Sequence, residues 1–249
     1  AGTTGEMPTL SEEEIDSLTS AAFRHTEGKV SLIVGTGTNA TKKSVEATKR
    51  AKDLGADGAL VIVPYGNKPT FQGVIKHFEA FSEADLPVIL YHHPGRTGIT
   101  LDLLTLSTIV EFPHVVAIKD CSKNLKDLSI LAKKTVILSG DDESLLETLK
   151  VGGRGIISVI GNLLPKEWKE IVTLGLMGNF IEGRKRLQEI LPLIQAINLE
   201  VNPQGIKCAL ALYGLCENSL RLPMIPTSHE TEEEIKGHLL IKSGALETP

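Results

Sequence analysis

Short, unbroken apolar runs alternate with longer amphipathic stretches along most of the chain. The short runs lie at 30–34, 59–63, 88–91, 115–119, 136–138 and 155–159, and each predicts a strand. They are apolar throughout rather than alternating, as expected of parallel strands covered on both faces. Between them, 11–23, 41–54, 70–84, 101–112, 125–133 and 143–151 read as helices. Ser11 and Glu14 form a capping-box pattern at the first helix. Gly55 closes the second helix, and Pro64 stops the second strand. From Pro165 onward the pattern is wholly helical, with runs at 168–177, 179–194 and 205–213. Pro192 is expected to kink or end the middle run.

Regular βα repetition admits an open doubly wound sheet or a (β/α)8 barrel. Six strands are visible, with the apparent exit of another at Gly2-Thr3. A barrel would then lack about one and a half units at its front, which agrees with a chain that opens Ala1-Gly2-Thr3-Thr4-Gly5-Glu6 without Met. The expectation is an α/β chain with barrel units over 1–164, its N-terminal units missing, and a C-terminal helical domain over 165–249.

Composition removes several function classes. Of 249 residues, 41% are hydrophobic and 23% charged, which is ordinary for a globular protein. A formal net charge of −5 argues against a bulk electrostatic grip on nucleic acid. No apolar run is long enough for a membrane helix, so no membrane partner is expected. No secretory signal is visible. Cys121, Cys208 and Cys216 have no metal-like pair spacing, and so sparse a set suits a reducing, cytoplasmic compartment.

In both parallel architectures the chemistry lies at the carboxyl ends of the strands. Lys119 closes the fourth apolar run. Desolvation there would lower its amine pKa and free a nucleophile for a Schiff base, although a strand-end lysine can also simply extend to water. Tyr91 ends the preceding strand and could shuttle protons to such an imine, or be a core tyrosine with a satisfied hydroxyl. Thr3 and Thr4 could relay a proton or bind a carboxylate, or serve only a turn. Arg96, past a Pro-Gly turn, suits bidentate carboxylate binding but could be an ordinary surface arginine. Gly35-Thr36-Gly37-Thr38-Asn39-Ala40 matches the dinucleotide fingerprint in form, yet no acid follows at the end of the next strand, so the match reads as a decoy. His92 and His93 are adjacent and must point to opposite sides, which leaves a metal site unsupported. Asp141-Asp142 reads as capping for the helix at 143–151.

Taken in order, Gly2-Thr3-Thr4-Gly5-Glu6, Pro64-Tyr65, Tyr91 with Arg96-Thr97-Gly98, Ile118-Lys119, Ser139-Gly140-Asp141-Asp142 and Gly155-Ile156-Ile157-Ser158-Val159 resemble the 4-hydroxy-tetrahydrodipicolinate synthase (dihydrodipicolinate synthase) family. Asn202-Pro203 and Leu220-Arg221-Leu222-Pro223-Met224 extend the resemblance to about residue 240. It implies a (β/α)8 barrel with a helical domain, assembled as a homotetramer of tight dimers. It implies that Lys119 forms the Schiff base with pyruvate, while Tyr91 moves protons with Thr3 in the relay. Thr4 would hold the pyruvate carboxylate, and Arg96 the carboxylate of aspartate 4-semialdehyde. Gly140 and Ile157 would complete the pocket. The covalent Lys–pyruvate imine would need no cofactor and no metal, and the product would feed diaminopimelate and lysine synthesis.

Neighbouring families share the lysine, the tyrosine and the Gly-Thr-Thr-Gly-Glu loop. N-acetylneuraminate lyases and 2-keto-3-deoxy sugar acid aldolases are therefore the alternatives, and Arg96-Thr97-Gly98 favours the synthase. A non-catalytic binding protein of the same fold is a third reading. The family pattern has a second tyrosine after Pro64-Tyr65, where this chain has Gly66, so either Tyr65 or water substitutes in the relay, or the relay is weakened. The feedback positions of lysine-regulated members read Glu12, Ile15 and Lys43 here, and weak or absent lysine inhibition is expected.

Overall fold

The computed structural model describes residues 1–243. Within it the chain divides into two compact units, one formed by Ala1–Gly2 and Leu10–Ile157, the other by Thr3–Thr9 and the chain from Ser158 onward.

In the first unit, α1 (Glu12–Thr26) starts at a complete capping box. The Ser11 hydroxyl accepts from the Glu14 amide at 3.2 Å, and the Glu14 carboxylate accepts from the Ser11 amide at 2.8 Å. Five βα repeats and a sixth strand follow: β1 (Ile33–Gly35), α2 (Thr41–Asp53), β2 (Gly58–Ile62), α3 (Phe71–Glu79), β3 (Val88–His92), α4 (Pro94–Thr97), α5 (Leu103–Ile109), β4 (Val115–Asp120), α6 (Leu125–Leu131), β5 (Val136–Ser139), α7 (Leu145–Lys150) and β6 (Gly155–Ile156). Side-chain oxygens of Thr70, Asp102 and Asn124 cap α3, α5 and α6.

All strand pairings are parallel, and the order is β1-β2-β3-β4-β5-β6. A doubly wound sheet reverses its strand order partway, and this sheet does not. Val61, Val63, Leu90, Ile118 and Ile137 from the strands and their exits pack with Val74, Phe78, Phe81, Ile109 and Leu131 from the helices, all fully buried. Each such side chain contributes roughly 1.5–3 kcal/mol when buried.

Two strands are shorter than expected. The run at 30–34 pairs only from Ile33, because Val30 stays exposed and the Leu32 amide is taken by the Asp57 carboxylate at 2.7 Å. The run at 155–159 is a strand only at Gly155–Ile156, after which the chain turns into a 3-10 helix at Ile160–Asn162.

The second unit holds α8 (Pro165–Leu176), α9 (Phe180–Ile197), α10 (Gln204–Leu212) and α11 (His229–Ser243). Pro192 does not end α9, which continues to Ile197. Proline forfeits one backbone bond, but the turn beyond it buries Leu193, Ile194, Ala196 and Ile197 in the packing of α9 against its neighbours. α11 lies beyond the expected helices, and it buries Ile235 and Leu239, four residues apart, among charged neighbours. The Thr3–Thr9 segment is tied into this unit. Asn202 Nδ2 donates to Thr4 Oγ1 at 3.0 Å, Arg221 donates to the Thr9 carbonyl at 3.0 Å, and Lys207 forms an ion pair with Glu6.

Candidate active site

Parallel pairing places Tyr91 of β3 directly across from Lys119 of β4, at the carboxyl edge of the sheet. The lysine Nζ lies 4.1 Å from the centroid of the Tyr91 ring. An amine held against an aromatic wall is poorly hydrated. Burial lowers the Lys119 pKa, the positive charge of Arg96 pushes it the same way, and Cys121 and Asp142 oppose the fall. The result is a lysine biased toward the neutral, nucleophilic form.

Two residues beyond Lys119, Cys121 returns to the same side of the chain. Its sulfur hydrogen-bonds the Tyr91 hydroxyl, and burial pushes the thiol up to about 11. Gly140, just past β5, closes the wall. A Cβ there would lie 2.3 Å from Cys121 Sγ, 3.0 Å from Lys119 Cε and 3.1 Å from the Asp120 carbonyl. Only hydrogen fits.

Arg96 stands on α4, the short helix directly after β3. Its amide donates to the Nδ1 of His93 at 3.2 Å, and the His93 ring meets Tyr91 edge-on with centroids 5.8 Å apart. Burial lowers the His93 pKa, and Arg96 and Lys119 add to the effect. His92 turns the other way and is fully buried against Asp120.

Lys119, Tyr91, Arg96 and Gly140 are thus brought together around the ends of β3, β4 and β5. Ile157 follows β6, its amide donating to the Ser139 carbonyl at 2.9 Å. Tyr65 is half-buried on the loop after β2, beside Gly66 at φ 78°. That left-handed backbone suits glycine, and a tyrosine there would be strained. Thr3 and Thr4 belong to the second unit.

The glycines of the 35–40 segment have a packing explanation. A Cβ at Gly37 would lie 2.4 Å from the Ile62 amide nitrogen, so the loop crosses the end of β2 in direct backbone contact. The two aspartates take different places. Asp141 accepts from the Ser144 amide at 2.9 Å, ahead of a helix that begins at Leu145, and pairs with Lys123 at 3.0 Å. Asp142 is buried and acts on Lys119. Reading both as caps missed this. Cys121 was legible in principle, since residue i+2 on a strand shares the face of residue i. Among the described residues, no three His, Cys, Asp or Glu side chains are grouped to hold a metal ion.

A family model described as the dihydrodipicolinate synthetase family matches residues 1–242. The chain is 39% identical to the 4-hydroxy-tetrahydrodipicolinate synthase of Thermotoga neapolitana, over 98% of this chain and 86% of that one. The solved structure of dihydrodipicolinate synthase from Aquifex aeolicus superposes with a TM-score of 0.94 at 36% identity, over 98% and 85% of the two chains. The chloride-inhibited dihydrodipicolinate synthase from Acinetobacter baumannii, complexed with pyruvate, does so with a TM-score of 0.94 at 37% identity, over 98% and 86%.

Proposed function

Because the chain belongs to the dihydrodipicolinate synthetase family, we propose that it is a class I lyase that condenses pyruvate with aspartate 4-semialdehyde. The product is 4-hydroxy-tetrahydrodipicolinate, on the route to diaminopimelate and lysine. The observation that supports this most directly is the pairing of a poorly hydrated Lys119 with the Tyr91 ring at the sheet's carboxyl edge.

The neutral Lys119 amine attacks the pyruvate C2 carbonyl, and the carbinolamine loses water to leave an imine. Tyr91 supplies the proton that departs with that water and takes one back, its hydroxyl held by Cys121. Loss of a methyl proton gives the enamine. Its carbon attacks the aldehyde of the second substrate, and the new alkoxide is protonated. The substrate's own amine then displaces Lys119 from C2, closing the ring and restoring the free lysine.

Arg96 binds the carboxylate of aspartate 4-semialdehyde. Gly140 and Ile157 shape the pocket around the imine. Thr3 serves the proton relay, Thr4 binds the pyruvate carboxylate, and Tyr65 stands in for the absent second tyrosine. The imine is the only covalent carrier the chemistry calls for, with no metal or organic cofactor. The six strands are consecutive members of a (β/α)8 barrel, a reading supported by their sequential order. Barrel units run through residues 1–164, and the helical domain follows from residue 165. The enzyme works in the cytoplasm as a homotetramer.

Incubation with pyruvate, reduction with borohydride and peptide mapping tests the core of this reading. A pyruvyl-derived mass is expected on the Lys119 peptide and absent in Lys119→Ala. A folded wild-type protein with no adduct, or with the adduct on another lysine, would overturn it. Turnover of sugar-derived aldehydes in preference to aspartate 4-semialdehyde would retain the imine and reject the synthase.

A further inference from the structure

The alignment of Tyr91 with Lys119 depends on an irregularity between β3 and β4. Val88 pairs with Val115, but Ile89 pairs with Ala117, so the ladder skips Val116. In an unbroken ladder Tyr91 would face Ile118, and His92 would face Lys119. A one-residue slip in a strand sends every side chain to the opposite face. Apolar neighbours such as Leu90 and Ile118 have little means of refusing that slip. A specific polar pair does.

That pair stands one residue beyond the reactive one. His92 and Asp120 are register partners, and each side chain is only 1% exposed. His92 Nδ1 lies 2.8 Å from Asp120 Oδ2. The other ring nitrogen, Nε2, accepts from the Leu101 amide at 3.1 Å. An acceptor nitrogen carries no proton, so Nδ1 bears it and donates to Asp120. Asp120 Oδ1 accepts from both the amide and the hydroxyl of Ser122 at 2.8 Å. The network joins the strand of Tyr91, the strand of Lys119 and the segment beyond Arg96. Losing the shifted register would leave Asp120 Oδ2 and the Nδ1 proton of His92 buried without each other, a large penalty for a small slip.

We propose that His92 and Asp120 are positioning residues that lock the shifted β3–β4 register and thereby hold Tyr91 opposite Lys119. This rests on Lys119 and Tyr91 being the reacting pair. The two residues act through the backbone, from the face of the sheet opposite the reacting groups.

Two substitutions at one position separate the bonds. In His92→Asn the amide nitrogen overlies Nδ1 and keeps the bond to Asp120 while losing the one to Leu101. In His92→Gln the terminal amide overlies Nε2 and keeps Leu101 while losing Asp120. With saturating pyruvate, borohydride trapping of the imine is expected to slow at least about tenfold in His92→Gln, since misplacement by about 1 Å can cost 10²-fold. His92→Asn is expected to stay within about threefold. In turnover the His92→Gln loss falls on kcat, with KM for pyruvate little changed. Equal rates in the two folded variants, or a greater loss in His92→Asn, would overturn the lock. A second reading needs no variant. Nitrogen-resolved NMR of the wild-type imidazole must show His92 protonated at Nδ1, and protonation at Nε2 would overturn the proposal even if His92→Gln fails to fold. Wild-type trapping at Lys119 is the control. Its absence would refute the reactive lysine, whereas normal wild-type trapping with indifferent variants would refute only the lock.

Discussion

Gly140→Ala puts one methyl group into the wall between Lys119 and the Cys121 thiol beside it. The added carbon would lie 2.3 Å from Cys121 Sγ, 3.0 Å from Lys119 Cε and 3.1 Å from the Asp120 carbonyl. Ordinary contact for such atoms begins at about 3.5 Å. The sulfur must therefore move by more than about 1 Å to reach that separation, and it is held by the Tyr91 hydroxyl. The carbonyl is fixed, because it already accepts from the Gly140 amide at 2.7 Å. Overpacking of this kind costs about 1–3 kcal/mol, and at about 2–4 °C per kcal/mol the melting temperature should fall measurably. Activity should fall further, by about 10- to 100-fold, because the displaced atoms belong to Lys119 and to the partner of Tyr91. Scanning calorimetry and imine trapping read the two effects separately. Cys121→Ala removes the worst contact, so Gly140→Ala should cost less in that background by at least about 0.5 kcal/mol of coupling. An unperturbed Gly140→Ala protein, or strictly additive substitutions, would refute the packing argument.

His77 predicts acid sensitivity. It is buried beside Phe78 and Phe81 with Nε2 unpartnered, and burial lowers its pKa to about 4 from 6.5. The unfolded chain therefore binds the proton more readily. The native advantage is whole above about pH 6.5 and drains as pH falls toward 4, by at most about 3.4 kcal/mol at about 1.36 kcal/mol per unit. Urea melts across that window should show the loss in wild type and a flatter dependence in His77→Gln, and equal slopes would contradict it. Asp142→Asn removes an anion that holds the Lys119 pKa up. The pH midpoint of imine formation should move downward, and an unmoved or upward midpoint would separate Asp142 from the lysine.

Much of this was legible because the signals are local. The Ser11–Glu14 capping box sets the start of α1, and a lysine closing an apolar run marks a strand end whatever the rest of the chain does. What escaped depends on contacts between segments. Of the two outcomes expected at Pro192, a kink or an end, the end does not occur: the cost of proline is local, while the burial of Leu193, Ile194, Ala196 and Ile197 that outweighs it comes from other helices. Asp142 looked like a cap because its relation to Lys119 joins β4 to the loop after β5.

Register is the sharpest case. Continuous apolar runs announce parallel strands, but for the same reason they say nothing about which residue faces which, since a slipped pairing buries nearly the same surface. Tyr91 and Lys119 could be assigned to neighbouring strand ends from the pattern alone. Their meeting face to face required the skip at Val116, which shifts the ladder by one residue, and that valine is 43% exposed. An exposed valine within an otherwise apolar strand is a cost in hydrophobic burial. It is understandable where the shifted ladder also satisfies the buried His92–Asp120 pair. On the proposed lock, His92 and Asp120 are what makes the apolar pattern specific. The dipeptides Tyr91-His92 and Lys119-Asp120 would then each carry one side chain of the proposed reacting pair and, on the opposite face, one side chain that sets its register.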